Sequence, residues 1–268
     1  MKLNVFAYKR NALKHLSLNH YWRIIAAGLS YTAFGLGAFI PGFYALILFF
    51  LPISEQEKQR RIRLSIKGLC RFFVDMMQFF GLMNYTLEDQ HNANVTNHLV
   101  IMNHPTLIDA AFAIAFVDDL CCIVKDSLTR NPFTAIPVKL ARYIPNSSED
   151  ILEQAVATLN SGQNLLVFPE GTRNLYDTQL DFKRGAANIA VHAKCSTLPI
   201  VISCLPRALG KHEPWYQLPT IKSKFLVRFL PSLPLADCIN TDKPRTLQYR
   251  ELNNYWKSIY LREIQSIE

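Results

Sequence analysis

Between Ile24 and Leu51 the chain runs for 28 residues without a charge, IIAAGLSYTAFGLGAFIPGFYALILFFL, long enough to enter a bilayer. Pro41-Gly42 divides the run into about 17 and 9 residues, and the proline removes one helical hydrogen bond, so a kink or a re-entrant hairpin competes with a straight span. The next stretch, EQEKQRRIRLSIKGLCRFFVDMMQFFGLM, sets Ile62, Ile66, Leu69, Phe73, Met76 and Phe80 at helical spacing, with Arg60, Arg63, Lys67 and Arg71 on another face. That predicts an amphipathic helix, packed on a core or, beside a membrane segment, lying in the interface with its basic stripe on anionic headgroups. Beyond it the pattern shortens to brief apolar runs: HLVIM (98–102), CCIV (121–124), LLVF (165–168), TLPIVIS (197–203) and FLVRFL (225–230). Helical stretches alternate with them and a last helix is expected near 245–266. This order predicts an α/β fold, a mixed sheet flanked by helices, over residues 84–268, with membrane-anchoring and amphipathic helices over 1–83.

Charge changes this picture at one end only. The 268 residues carry a formal +8, but residues 1–71 hold 11 Lys+Arg and 2 acids, leaving −1 for the rest. That placement argues against nucleic acid as a partner, which would want basic residues interleaved with aromatics across a folded face. Five Lys+Arg precede the apolar run and six follow it within residues 52–71, so the positive-inside rule puts both ends on the cytosolic side and favours monotopic insertion over a span. A cleaved signal peptide fits poorly: 23 residues precede the run, and no small-x-small site follows it. The expected location is the cytoplasmic (inner) membrane, with the α/β domain facing the cytosol. Six cysteines without a CxxC pair, mostly among apolar neighbours, read as reduced, buried thiols.

Candidate chemistry sits in the loops after the predicted strands. In IMNHPTLIDA, His104 precedes a proline and so leaves the α region, while Pro105 suits the first turn of a helix running to about Phe116. On one continuous helix residues five apart point about 140° away from each other, so it is the turn that lets Asp109 reach His104. A carboxylate on one ring nitrogen fixes the tautomer and leaves the other free to take a proton. No GxSxG supplies a nucleophile, and Cys121 and Cys122 lie in an apolar strand, so the group to be activated would be a substrate hydroxyl. Taken alone, an HxxxxD is more often a structural histidine capping a helix.

Four further patches follow. In LLVFPEGTRN, Gly171 permits close backbone approach and Arg173 offers a planar fork for phosphate. In DFKRGAANIAVHA, Lys183 and Arg184 open a helix whose N-terminus attracts anions. TLPIVIS reads as floor. CCIVKDSLTRNPFTAIPVKLARYIPN is read as strand, helical stretch and second strand, with Lys125 closing the first and Asn146 ending the last.

NHPTLID, VKDSL, FPEGTR, FKRG and LPIV occur in the order and approximate spacing of the lysophospholipid acyltransferase family, whose best-known member makes phosphatidic acid, and over residues 97–205 the chain resembles that family. The resemblance implies that His104 is the general base and Asp109 its orienter, and that Glu170, Gly171, Thr172 and Arg173 help to bind acceptor phosphate. It implies a thioester donor, acyl-CoA or acyl carrier protein, with membrane lipids as acceptors, no other cofactor and no metal. One departure stands out: where the family's second block ends in an aromatic-isoleucine-aspartate-arginine run, this chain reads Tyr143, Ile144, Pro145, Asn146. The missing arginine weakens the case for lysophosphatidic acid unless Lys183, Arg184 or Arg142 compensates. The alternative acceptor is another hydroxylated lipid, as in the aryl-polyene-associated acyltransferases, whose pattern is also similar. The reading from another class is an inactive lipid-binding scaffold, against which the intact NHPTLID and FPEGTR motifs argue.

Overall fold

The computed structural model describes residues 18–131, 134–174 and 180–267. The basic residues Lys2, Lys9, Arg10 and Lys14, on which the charge of the N-terminal flank rests, lie outside the described residues.

Helices α1 (Leu18–Gly37) and α2 (Phe39–Phe49) carry the apolar run. The interruption falls at Ala38, three residues before the expected kink, because Pro41 sits in the first turn of α2 and has no N–H to give to the carbonyl of Gly37. Ala26, Ala27, Ser30 and Leu48 are buried, whereas Ile25, Leu29, Leu36, Ile40, Phe43, Leu46 and Phe50 are exposed. By length and composition, Asn19–Phe49 suffices to cross a membrane.

Both helices pack on α3 (Glu55–Phe79), the predicted amphipathic helix. Gly37 of α1 lies against Leu69: a Cβ there would stand 2.5 Å from Leu69 Cδ1 and would displace that side chain. Ser54 caps α3 by accepting from the Glu57 N–H at 3.2 Å, with Glu55 and Glu57 complementing the first turn. The helix ends in a Schellman turn, Leu82 N–H to Met77 O and Gly81 N–H to Gln78 O, with Gly81 at φ 74°. Ile62, Ile66, Cys70, Phe73, Val74 and Met77 are buried. The basic stripe is largely spoken for by protein: Arg63, buried, donates to Asp119 at 2.7 Å, Lys67 pairs with Asp118, and Arg71 pairs with Asp75 and lies 4.6 Å from the Phe116 ring centroid. At Arg63 and Lys67 the stripe makes ion pairs to the α/β domain, while Leu64, Phe72 and Phe79 of the same helix stay exposed.

The chain then alternates through β1 (Met83–Glu88), β2 (His98–Met102), α4 (Asp109–Phe116), β3 (Leu120–Val124), α5 (Ser127–Arg130), α6 (Ala135–Leu140), β4 (Ile144–Pro145), α7 (Ile151–Asn160), β5 (Asn164–Val167), α8 (Arg184–Ala193), β6 (Ser196–Leu205), β7 (Ser223–Phe229), α9 (Leu235–Cys238) and α10 (Arg245–Ile267). The seven strands order as β1-β7-β6-β2-β5-β3-β4, all neighbours parallel except β6 and β7. This is the mixed sheet flanked by helices that the alternation predicted. Leu99 to Met102 are wholly buried, as a central parallel strand covered on both faces requires. α3 packs against α4, while α7, α8 and α10 form a second packed set. Five of the six cysteines are buried, Cys238 is partly so, and all six are free thiols.

Candidate active site

β2 lies between β6 and β5, so the loops leaving the carboxyl ends of these three parallel strands converge. Asn103, the first residue past β2, extends the pairing with its side chain: its amide donates to Ile202 O and accepts from Ile202 N–H, both at 2.8 Å. His104 follows. Its Nδ1 lies 2.8 Å from Asp109 Oδ2, and its ring stacks on Phe168 at 4.2 Å between centroids.

The expected helix from Pro105 starts instead at Asp109. The physical reason is the Asp109 carboxylate, which turns back over residues 105–108 and accepts from the Thr106 N–H at 2.6 Å and from the Thr106 hydroxyl. Those bonds hold the preceding loop as a turn, and they bring the carboxylate under the imidazole. Asp109 is completely buried. Burial pushes its pKa up, and the bonds from His104 and Thr106 oppose that shift. With Asp109 accepting from Nδ1–H, the neutral imidazole presents Nε2 as an acceptor, and among the described residues that nitrogen has no hydrogen-bond partner.

Glu170 lies beneath the histidine. Its Oε1 accepts the His104 backbone N–H at 2.9 Å, and burial raises its pKa against the bonds from His104 and Asn174. Gly171 adopts φ 68°, which glycine takes without strain, and is exposed together with Thr172. Arg173 donates through Nη1 to Leu209 O at 3.1 Å and Gly210 O at 2.9 Å, tying this turn to the loop after β6. The Asn174 N–H closes the arrangement on His104 O at 3.0 Å.

The FKRG turn comes to the same place: Lys183 N–H donates to Pro169 O at 2.7 Å, and its Cγ stands 3.8 Å from where a Cβ would lie on Gly171. Lys183 Nζ pairs with Asp181, and Arg184, exposed, opens α8. Lys125 and Asn146 follow neighbouring parallel strands, β3 and β4. Asn146 is occupied in closing that loop: its N–H donates to Val124 O at 2.8 Å and its Oδ1 accepts from Asp126 N–H at 3.0 Å. Of the three cations weighed as substitutes for the absent arginine, Arg142 is directed at Gln59, whose amide oxygen, turned toward it, accepts from Nε at 2.8 Å.

Thr106, Phe168, Asn103 and the Leu209-Gly210 carbonyls escaped sequence reasoning. Thr106 had a signal, a threonine three residues before an aspartate at a helix start, the spacing at which the two groups bond locally. Phe168 and Leu209 had none, since their contacts span 64 and 36 residues of sequence respectively. A cavity of about 60 Å³ bordered by Asn103, Thr106, Asn174 and Glu213 adjoins the pair without including His104, and it is too small for an acyl chain.

Residues 84–203 match the family model described as Acyltransferase. The chain is 36% identical over 188 residues to human 1-acyl-sn-glycerol-3-phosphate acyltransferase alpha, covering 67% of this chain and 65% of the relative. It is 26% identical over 179 residues to the 1-acyl-sn-glycerol-3-phosphate acyltransferase of Pseudomonas aeruginosa, covering 64% and 68%. The match thus spans about two thirds of the length of these relatives. In fold, the chain superimposes on the crystal structure of the 1-acyl-sn-glycerophosphate (LPA) acyltransferase PlsC from Thermotoga maritima with TM-score 0.73 at 19% identity, over 91% of this chain and 94% of that one.

Proposed function

We propose that this chain transfers a fatty acyl group from a thioester, acyl-CoA or acyl carrier protein, to the free hydroxyl of a 1-acylglycerol-3-phosphate-like lipid. The observation that carries the reading is the imidazole of His104 held through Nδ1 on a wholly buried carboxylate, just past the carboxyl end of β2 between β6 and β5. The acceptor O–H proton passes to Nε2 as the oxygen forms a bond to the thioester carbonyl carbon, and Asp109 stabilises the imidazolium. Collapse of the tetrahedral adduct breaks the C–S bond, and the departing thiolate takes the proton back from His104. Lys183, Arg184 and Lys125 are exposed cations on the loops around the histidine, suited to an anionic acceptor or donor. Glu170 supports the histidine's backbone and Arg173 braces the turn. The α1–α2 helices hold the enzyme on the cytosolic face of the inner membrane, monotopically, so that lipid enters sideways and the thioester arrives from water.

Radiolabelled acyl transfer to a panel of lysolipids, from both donor classes, tests the reading. His104→Ala should abolish product while its unfolding temperature stays near wild type; turnover close to wild type would overturn the mechanism. A second reading is favoured by Asn146, which stands where the family arginine would be and is engaged in a loop bond. On that reading another hydroxylated lipid is used better than lysophosphatidic acid, and a wild-type preference for lysophosphatidic acid over the whole panel would dismiss it.

A further inference from the structure

The mechanism leaves one prominent surface unused. β6 runs parallel to β2 and β7 returns antiparallel to it, so the connection between them, residues 206–222, lies at the same end of the sheet as His104. Trp215, Tyr216 and Ile221 of this connection are exposed, Ile221 by 65%. A loop that had only to join two strands would have no reason to hold such side chains in water.

The loop is continuous with the apolar N-terminal helices. Trp215 sits against α1, its ring 6.1 Å from that of Tyr31 and 3.4 Å from the position of a Cβ on Gly28. Arg23 of α1 donates to Leu82 O at 3.1 Å and also to Pro219 O, fastening the loop to the start of the helix. Trp22 donates to Phe80 O at 3.3 Å, beside Phe79, which is 84% exposed. Trp22, Phe79, Trp215, Tyr216 and Ile221 therefore form one rim drawn from three separate segments. Lys222 and Lys224 are exposed on it, and Glu213, the one acid between Leu205 and Lys224, is occupied by the Gly210 N–H at 2.7 Å. Aromatic side chains with a polar edge, one bulky aliphatic and a net positive charge are the composition that settles at headgroup depth.

We infer that the 206–222 loop is a second membrane-contact element, which places Trp215, Tyr216 and Ile221 in the headgroup layer of the same bilayer that α1 and α2 enter. The occupant is lipid, because the patch continues the exposed apolar face of those helices and carries the charge that complements anionic headgroups. Two attachments in one plane fix the tilt of the domain, with the strand ends that bear His104 next to the membrane surface. The inference depends on the membrane association of α1 and α2 and not on the proposed chemistry, so its test reads depth rather than turnover.

The full chain in vesicles of phosphatidylcholine and phosphatidylglycerol is spin-labelled at Ile221→Cys on a Cys238→Ser background, since the other five cysteines are buried. Phe43→Cys on α2 and Asn160→Cys at the opposite end of the sheet serve as references. Residue 221 should resemble 43, losing access to an aqueous nickel chelate while gaining access to oxygen; behaviour like 160 would overturn the proposal. Loss of access to both probes, with spin–spin broadening, would assign the patch to a second copy of the chain and overturn it equally. As a check free of labels, Trp22→Phe leaves Trp215 as the exposed indole, Trp256 being fully buried. Brominated lipids should quench its emission, and emission unchanged by them would count against lipid contact.

Discussion

Replacing Thr106 by valine keeps the side chain's shape and removes one hydroxyl, and the hydroxyl removed is a donor to a carboxylate with no access to water. Asp109 is completely buried, and its ionised form is held by three bonds: His104 Nδ1, the Thr106 N–H and the Thr106 hydroxyl. Its pKa is already pushed up by burial, with those bonds opposing the shift. A hydrogen bond to a charged group contributes about 1.5–3 kcal/mol. Losing the hydroxyl destabilises the carboxylate relative to the neutral acid, so the upward push of burial on the Asp109 pKa is less opposed. The competent form, carboxylate with neutral imidazole, is then reached only at higher pH. The acidic limb of kcat/KM should move up in pH while the plateau above it stays within severalfold of wild type. Thr106→Ser, which restores the hydroxyl, should return the limb. The assay is release of free thiol from an acyl thioester across pH in mixed lipid–detergent micelles. A valine profile superimposed on the wild type, or a serine profile displaced as far as valine, would refute the reasoning.

Asp109→Asn should leave a low residual rate, and it should not lower the unfolding temperature, because it removes a charge whose burial disfavours the folded state at neutral pH; a large thermal destabilisation in differential scanning fluorimetry would contradict that sign. Arg173→Ala loses both Nη1 bonds, to Leu209 O and Gly210 O, that brace the Glu170–Arg173 turn, so the acceptor KM should rise more than the donor KM; equal changes would remove that turn from the acceptor side. Arg63→Ala leaves Asp119 without its partner, and because Asp119 is partly solvated the discounted loss is about 2 kcal/mol, or a fall in unfolding temperature of about 4–8 °C, with an unchanged midpoint as the contrary result.

Strand and helix positions were legible because their causes are local. HLVIM coincides with β2, Lys183 and Arg184 open α8 as expected, and the last helix begins at Arg245. The pairing of His104 with Asp109 was legible too, since a proline and a five-residue spacing determine it. What escaped depends on partners distant in sequence. That Arg63 and Lys67 of α3 pair with protein rests on Asp119 and Asp118, more than 50 residues away. That Glu170 reaches the His104 backbone, and Arg173 the loop after β6, follows from β5 and β6 flanking β2, an order that no spacing encodes. Asn146 shows the converse: the departure from the family pattern was visible at once, and only the fold reveals the amide closing the loop after β3.

The six free cysteines carry a consequence for the thioester-dependent transfer proposed above. A thiolate exposed beside such a donor would undergo transthioesterification and leave the protein acylated on sulfur. Burial pushes the thiols of Cys70, Cys121 and Cys204 up to about 12, those of Cys195 and Cys238 to about 11, and that of Cys122 well above its ordinary value. At neutral pH a thiol with a pKa near 12 is ionised in about one molecule in 10⁵. The core that buries Cys70, Cys121, Cys122, Cys195 and Cys204 thereby also shields those five thiols from the proposed donor.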